Sequence, residues 1–289
     1  MHAFPRRLAV VVSVAVAVVV LGAPRLSEPE ASLRVATYNI HHAVGRDGRL
    51  DLTRVAEEIR ALRADAVGLQ EVDQHWGPRS GFADQVGVLA ASLDMRVLYA
   101  PNLDLPAAAA AAGHGTRRRY GLAILTSRPV VDSRHTLLPR SGVVEQRGLL
   151  EAVLSVPGGR VRLVTTHLEH RDRSERLRQA RAVRAALRER GGPVVVTGDL
   201  NAVPESVEVG LVGQGLLDAW AGAGRGSGAT VVEPPRRIDY VLHSPDLRVR
   251  SVEVAPGQGS DHLPVVAELL LPQAEVVGGE AGGSGRSGA

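Results

Sequence analysis

The alternation of apolar and polar positions divides residues 33–272 into many short strands and a few helices. Residues 33–40 and 66–69 are runs rich in Val, Leu and Ala, which read as strands. Between them Leu52, Val55, Ile59 and Leu62 recur at helical spacing behind Asp51. A short carboxylate there can accept from the free amides of a first turn, so a helix is expected from Asp51 to about Arg63. Two more helices are expected, over 82–93 and over the Arg-rich stretch 173–190, which Gly191 and Gly192 end. Strands are expected at 96–100, 122–126, 130–138, 148–156, 161–166, 194–196, 237–242, 248–254 and 265–271. The segment 106–115, with its alanine run at 107–112, reads as a surface insertion. Strands first alternate with helices and then follow one another directly. That order fits a four-layer α/β sandwich: two packed, mainly antiparallel or mixed β-sheets flanked by helices.

The ends read differently. Arg6 and Arg7 precede an apolar run at 8–21, the pattern of a secretory signal. The run is shorter than the roughly 20 apolar residues of a usual spanning helix. A cleaved signal peptide over 1–23 and an uncleaved membrane anchor through 8–21 both stand as readings. Either puts the domain outside the cytoplasm, secreted or anchored, with Arg6 and Arg7 on the cytoplasmic side. Residues 24–32 read as a linker. Residues 273–289, rich in Gly, Ser and Ala, read as a flexible tail.

Composition narrows the chemistry. Hydrophobic residues make up 44% of the 289, enough for one buried core over 33–272, but aromatics supply only 3%. The core is therefore built from Val, Leu, Ala and Ile. All 34 basic residues are arginines, and the net charge is only +3. That excludes a strongly basic nucleic-acid coat and leaves room for a local phosphate-binding patch. Without cysteine, the chain has no disulfide scaffold, thiolate zinc site or Cys nucleophile.

Chemistry-bearing residues stand at or beside the ends of the expected strands: Asn39, Glu71, His167, Asp199, Asn201, Asp239, Asp261 and His262. Each alone reads as a turn residue. Together they supply every part of a metal-assisted phosphate-ester hydrolase. A phosphate ester repels an attacking hydroxide, and a Mg²⁺-like ion offsets that charge. Asn39, Glu71 and Asp261 offer the oxygen ligands such a hard ion prefers, whereas a zinc site would show more clustered histidines. His167 and His262 are candidates to stabilise charge or donate a proton, with Asp239 holding His262 in its cationic form. Asp199 is suited to orient or deprotonate water, and Asn201 to donate to phosphate.

In order along the chain, Thr37-Tyr38-Asn39-Ile40, Leu69-Gln70-Glu71-Val72, Thr166-His167-Leu168, Gly198-Asp199-Leu200-Asn201-Ala202, Ile238-Asp239-Tyr240 and Ser260-Asp261-His262-Leu263-Pro264 resemble the endonuclease/exonuclease/phosphatase family, the deoxyribonuclease I-like fold. The resemblance spans Asn39 to His262 and suggests a bacterial exported member. It implies a Mg²⁺- or Mn²⁺-dependent attack by water, with the cation on Asn39, Glu71 and Asp261. It implies catalytic roles for His167, Asp199, Asn201, Asp239 and His262. Tyr120, Arg119 and His41 are weaker candidates for substrate contact; His42, beside His41, is open to the same reading or to a structural one.

The resemblance implies a phosphate-ester substrate: a nucleic acid, a phospholipid headgroup as in sphingomyelinases, or a small phosphate ester. No protein partner is evident from the sequence. A nuclease benefits from stacking aromatics, for which Trp76 and Tyr120 are available. A phospholipase needs an exposed apolar loop, for which the run 107–112 is a weak candidate. The opposing class is a non-catalytic binding module on the same fold, against which the complete set of site residues argues.

Overall fold

The structure, a computed structural model, describes residues 30–107 and 117–272. The expected export segment, residues 24–29 of the linker, most of the alanine-rich insertion and the C-terminal tail lie outside the described residues. The first half runs β1 (Ser32–Asn39), α1 (Leu52–Leu62), β2 (Ala66–Gln74), α2 (Gln85–Leu93), β3 (Arg96–Pro106), β4 (Arg117–Thr126) and β5 (Val130–Leu137). The second runs β6 (Gly148–Val156), β7 (Gly159–His167), α3 (Arg173–Arg188), β8 (Val194–Asp199), α4 (Val207–Val212), β9 (Leu217–Asp218), α5 (Ala219–Ala223), β10 (Asp239–His243), β11 (Arg248–Val254) and β12 (Val265–Leu270).

The strands form two six-stranded mixed sheets. One has the order β11-β12-β1-β2-β4-β3, the other β5-β6-β7-β8-β10-β9. Their facing sides share an aliphatic core that includes Val35, Ile124, Leu154, Leu163 and Leu269. A second core packs α1 and α2, through Val55, Ile59 and Leu89, onto the outer face of the first sheet. A third packs α3 and α4, through Val183 and Val212, onto the second. The result is the expected four-layer α/β sandwich. At about 25 cal/mol per Å² of apolar surface removed from water, these side chains drive the fold.

Local chemistry sets the helix ends. Asp51 accepts from Arg54 N at 2.9 Å and Asp84 from Gly87 N at 3.0 Å. Asp172 accepts from the amides of Ser174 and Glu175 at the start of α3. Helix α2 therefore begins at Gln85 rather than at 82, and α3 ends at Arg188. Helices α4 and α5 and strand β9 were not expected. Each is six residues or fewer, too short to show a period.

Each sheet is antiparallel except at one central pair. Strands β1 and β2 run parallel, pairing Asn39 with Gln70. Strands β7 and β8 run parallel, pairing His167 with Asp199. Parallel neighbours end at the same edge, so both pairs deliver their C-terminal residues to one rim. Strand β10 is antiparallel to β8 and brings its first residue, Asp239, opposite Asp199.

Strand β2 corrects the expectation that Glu71 ends a strand. The strand continues to Gln74 through a bulge against β4 between Leu69 and Val72. Glu71 sits in the bulge at φ +59, a left-handed value that costs a non-glycine residue about 1 kcal/mol or more. An extra residue re-aims the side chains beside it. Here the half-buried Glu71 carboxylate faces the rim residue Asn39. Below it, Gln70 Nε2 donates to Thr165 Oγ1 across the two sheets at 2.9 Å and locks their separation.

Candidate active site

Asp199, at the end of β8, is the hub. Its Oδ1 accepts from Asn201 N at 2.8 Å. Its Oδ2 accepts from Asn39 Nδ2 at 3.1 Å, lies 3.4 Å from His167 Nε2 and 3.7 Å from His262 Nε2. The structure thus brings Asn39, Glu71, His167, Asp199, Asn201, Asp239 and His262 onto one rim. Burial pushes the Asp199 carboxyl up, the Asp239 charge adds to this, and the pKa stands at about 7. A carboxyl so placed takes up a proton near neutrality, the property of a general base.

His262 has the opposite bias. Burial disfavours its cation, but the charges of Asp239 and Asp199 outweigh this, together with a 2.8 Å contact between Nδ1 and Asp239 Oδ2. Its pKa rises to about 10, so the ring is an imidazolium at neutral pH. His167 is held neutral: burial and then the Arg147 charge push it well below the usual histidine range. Arg147 Nη1 lies 2.9 Å from His167 Nδ1. A guanidinium only donates, so Nδ1 accepts and the ring proton sits on Nε2, facing Asp199. Asn201 Nδ2 lies 3.0 Å from the same Nε2 and donates to Leu168 O at 2.9 Å.

Around Glu71 the arrangement is more specific than the sequence suggested. Asn39 gives Nδ2 to Glu71 Oε1 at 3.1 Å, while its Oδ1 accepts from His41 N at 3.1 Å. Glu71 Oε2 lies 3.9 Å from His42 Nδ1, and Asp261 Oδ1 lies 3.6 Å from His41 Nδ1. Ser260 Oγ ties this corner to β1 by donating to Asn39 O at 2.7 Å. A divalent cation fits here on donor chemistry: one donor atom each of Glu71, His41 and His42 lies within 4.8 Å of the others, and Asp261 stands beside His41.

The family profile for endonuclease/exonuclease/phosphatase proteins matches residues 36–262, from β1 to His262. The chain belongs to the endonuclease/exonuclease/phosphatase family. Members of this family hydrolyse phosphate esters. Among solved structures, the family protein of Beutenbergia cavernae is 28% identical, with a TM-score of 0.70, over 84% of this chain and 72% of that one. A mannosyl-6-phosphatase of Bacteroides thetaiotaomicron shares the fold at 20% identity and TM-score 0.66, over 83% of this chain and 100% of that chain. The catalytic domain of human Nocturnin, solved with bound sulfate, shares it at 21% identity and TM-score 0.63, over 82% of this chain and 94% of that chain. The Schizosaccharomyces pombe protein cwh43 is 28% identical over 162 residues, 56% of this chain but only 15% of its own length.

The weaker substrate candidates divide. Tyr120 is buried, 5.7 Å from Trp76 ring to ring, with the Arg79 guanidinium over both rings at 5.2 Å. Arg119 is engaged by Gln74 at 2.9 Å and Asp104 at 3.2 Å, on the β3–β4 edge. His41 faces Asp261. Sequence reasoning missed Arg147, whose side chain is 3% exposed and pairs with Glu145 at 2.7 Å. The signal was present in Glu145-Gln146-Arg147, a charged pair directly ahead of the apolar strand β6. A buried arginine needs a charge partner worth its desolvation, and Glu145, two residues earlier, supplies it while the guanidinium reaches His167.

Proposed function

We propose that the protein is an extracytoplasmic, divalent-cation-dependent phosphoric ester hydrolase that uses water as nucleophile. The observation that carries the reading is the convergence on Asp199 Oδ2 of Asn39, His167 and His262, with Glu71 one hydrogen bond away. Mg²⁺ or Mn²⁺ at Glu71 would neutralise phosphoryl oxygen charge. Asp199 orients the water and takes its proton, which its raised pKa favours. His262, a cation on Asp239, places its Nε2–H where charge grows on the phosphoryl oxygens or on the leaving oxygen. His167 presents a neutral Nε2–H beside it, set by Arg147, and Asn201, whose amide donates to Leu168 O, stands next to that nitrogen. Preorganised donors in a buried site cost no reorganisation when the P–O bond breaks.

Export rests on Arg6, Arg7 and the apolar run at 8–21. Among the described residues no helix is long and apolar enough to cross a membrane, so anchoring would fall to that N-terminal segment. The test is a panel of DNA, RNA, phospholipids and phosphomonoesters, with Mg²⁺, Mn²⁺ or a chelator. Cation-dependent release of phosphate or of a phosphoester product is expected. Folded protein that turns over nothing on the panel points to a binding module instead. Recovery of the chain from the cytoplasm alone, with its N-terminus intact, refutes the export part.

A further inference from the structure

The turn after β1 carries a backbone cost at three consecutive residues. His41, His42 and Ala43 have φ values of +43, +43 and +64, three consecutive non-glycine residues on the left-handed side. Such values cost about 1 kcal/mol or more each and gather at functional sites. The turn is pinned: Gln85 Nε2 donates to His42 O at 2.6 Å, and Gln85 Oε1 accepts from Asp73 N at 3.0 Å. What this holds in place is a pair of imidazoles, with ring centroids 4.4 Å apart, beside Glu71.

The nitrogens are specific. His42 Nδ1 is buried and has no hydrogen-bond partner, and its side chain is only 12% exposed. It faces Glu71 Oε2 at 3.9 Å. Glu71 Oε1 is taken by Asn39, which leaves Oε2 for this side. His41 Nδ1 faces two acceptors, Val44 O at 3.1 Å and Asp261 Oδ1 at 3.6 Å, so it carries the ring proton and leaves Nε2 as a lone pair. An imidazole whose far nitrogen is fixed by a carbonyl or carboxylate is the usual dress of a metal-binding histidine. One donor atom each of His41, His42 and Glu71 lies within 4.8 Å of the others. Ligands about 2.1 Å from one ion sit roughly 3 to 3.5 Å apart, so the set has only about 1 to 2 Å to close.

We propose that His41 and His42 supply nitrogen ligands, with Glu71 Oε2, to one divalent cation, so that this site prefers a borderline transition metal such as Mn²⁺ or Zn²⁺ to Mg²⁺. This rests on the cation dependence proposed above and deepens it. Two nitrogens in three donors shift selectivity away from the oxygen-loving Mg²⁺. Asp261 and Val44 then orient His41 rather than touch the ion, and Asn39 holds Glu71 in place through its amide nitrogen.

The experiment is pulsed electron paramagnetic resonance of Mn²⁺ bound to the purified protein. Modulation from ¹⁴N is expected, and it should change to that of ¹⁵N when only the histidines are labelled. This measurement needs no variant and so no assumption about folding. Calorimetric titration should show Mn²⁺ binding about tenfold or more tighter than Mg²⁺. His42→Gln and His41→Gln, confirmed folded, should each weaken Mn²⁺ binding by about 10- to 100-fold and narrow the preference over Mg²⁺. Mn²⁺ that binds with no nitrogen modulation overturns the inference and leaves a cation-dependent hydrolase with oxygen ligands. Failure to bind Mn²⁺ at all, with substrate turnover unaffected by chelator, overturns the cation reading together with the inference.

Discussion

Asp239 Oδ2 lies 2.8 Å from His262 Nδ1, and the same ring turns Nε2 toward Asp199 Oδ2 at 3.7 Å. The imidazole is therefore clamped between two buried carboxylates, one of which holds it and the other of which shares its working face. Asp239→Asn keeps the shape but removes the charge that sustains the cation. The expected outcome is a fall in kcat of about 10² to 10⁴, with circular dichroism unchanged. A variant that keeps more than a third of the wild-type rate on the substrate found in the panel would remove His262 from the chemistry.

The same clamp makes stability depend on pH in a window that can be isolated. The folded His262 pKa, about 10, lies above its free value of 6.5. Its contribution is therefore full below about pH 6.5 and is lost as pH rises toward 10. His167 and His42 are shifted down, so they act on stability at acidic pH, outside this range. The chain has no lysine and no cysteine, and its four tyrosines, all pushed up by burial, add their own loss of stability only as pH nears 10. Tm of the cation-free protein should therefore fall by several degrees between pH 8 and 9.5, and His262→Gln should flatten that slope. Equal slopes in the two proteins would refute the raised pKa.

Arg147 fixes which nitrogen of His167 bears the proton. Its Nη1 donates to Nδ1 at 2.9 Å while Glu145 balances the charge at 2.7 Å. Arg147→Met should lower kcat by about 10- to 100-fold, with a smaller change in KM, because a wrong tautomer turns a donor away from the phosphate. Arg147→Lys should not restore the rate, since an ammonium lacks the planar fork that serves His167 and Glu145 together. Nitrogen NMR of His167 should report the Nε2–H form in the wild type and a mixture in Arg147→Met. Identical spectra would leave Arg147 a purely structural residue.

The sequence carried the hub because its residues are short, polar and set at the ends of apolar strands. Asn39, His167, Asp199 and Asp239 are strand-terminal in the structure too. It misplaced Glu71, since nothing in Gln70-Glu71-Val72 announces a bulge; the register against β4 creates it. It read Asn39 as an oxygen donor to a cation without seeing that its amide nitrogen turns to Glu71. That orientation follows from His41 N claiming the oxygen, a contact two residues away that no spacing rule encodes. Short helices α4 and α5 escaped for a related reason, because tertiary packing forms them and not periodicity.

Gly198 offers a separation of folding from positioning. It sits in β8 at φ +147, and an added Cβ would fall 2.1 Å from Thr166 O across the parallel pair. Thr166 is its register partner, and the next step of that register is His167 against Asp199. Gly198→Ala must therefore push β7 from β8 where the two site residues emerge. A loss of about 2 to 4 kcal/mol is expected from the close contact and the unfavourable φ. Val183→Ala, in the fully buried α3 core, should cost a similar amount by leaving a cavity. The two should differ in rate. At a temperature where both are fully folded, Val183→Ala should keep its kcat. Gly198→Ala should lose at least about tenfold, because a displacement on the order of 1 Å is felt at a reacting geometry. Urea denaturation with kcat measured on the same samples decides it. If Gly198→Ala were as unstable as expected yet fully active, the β7–β8 pairing would not be what sets Asp199 against His167.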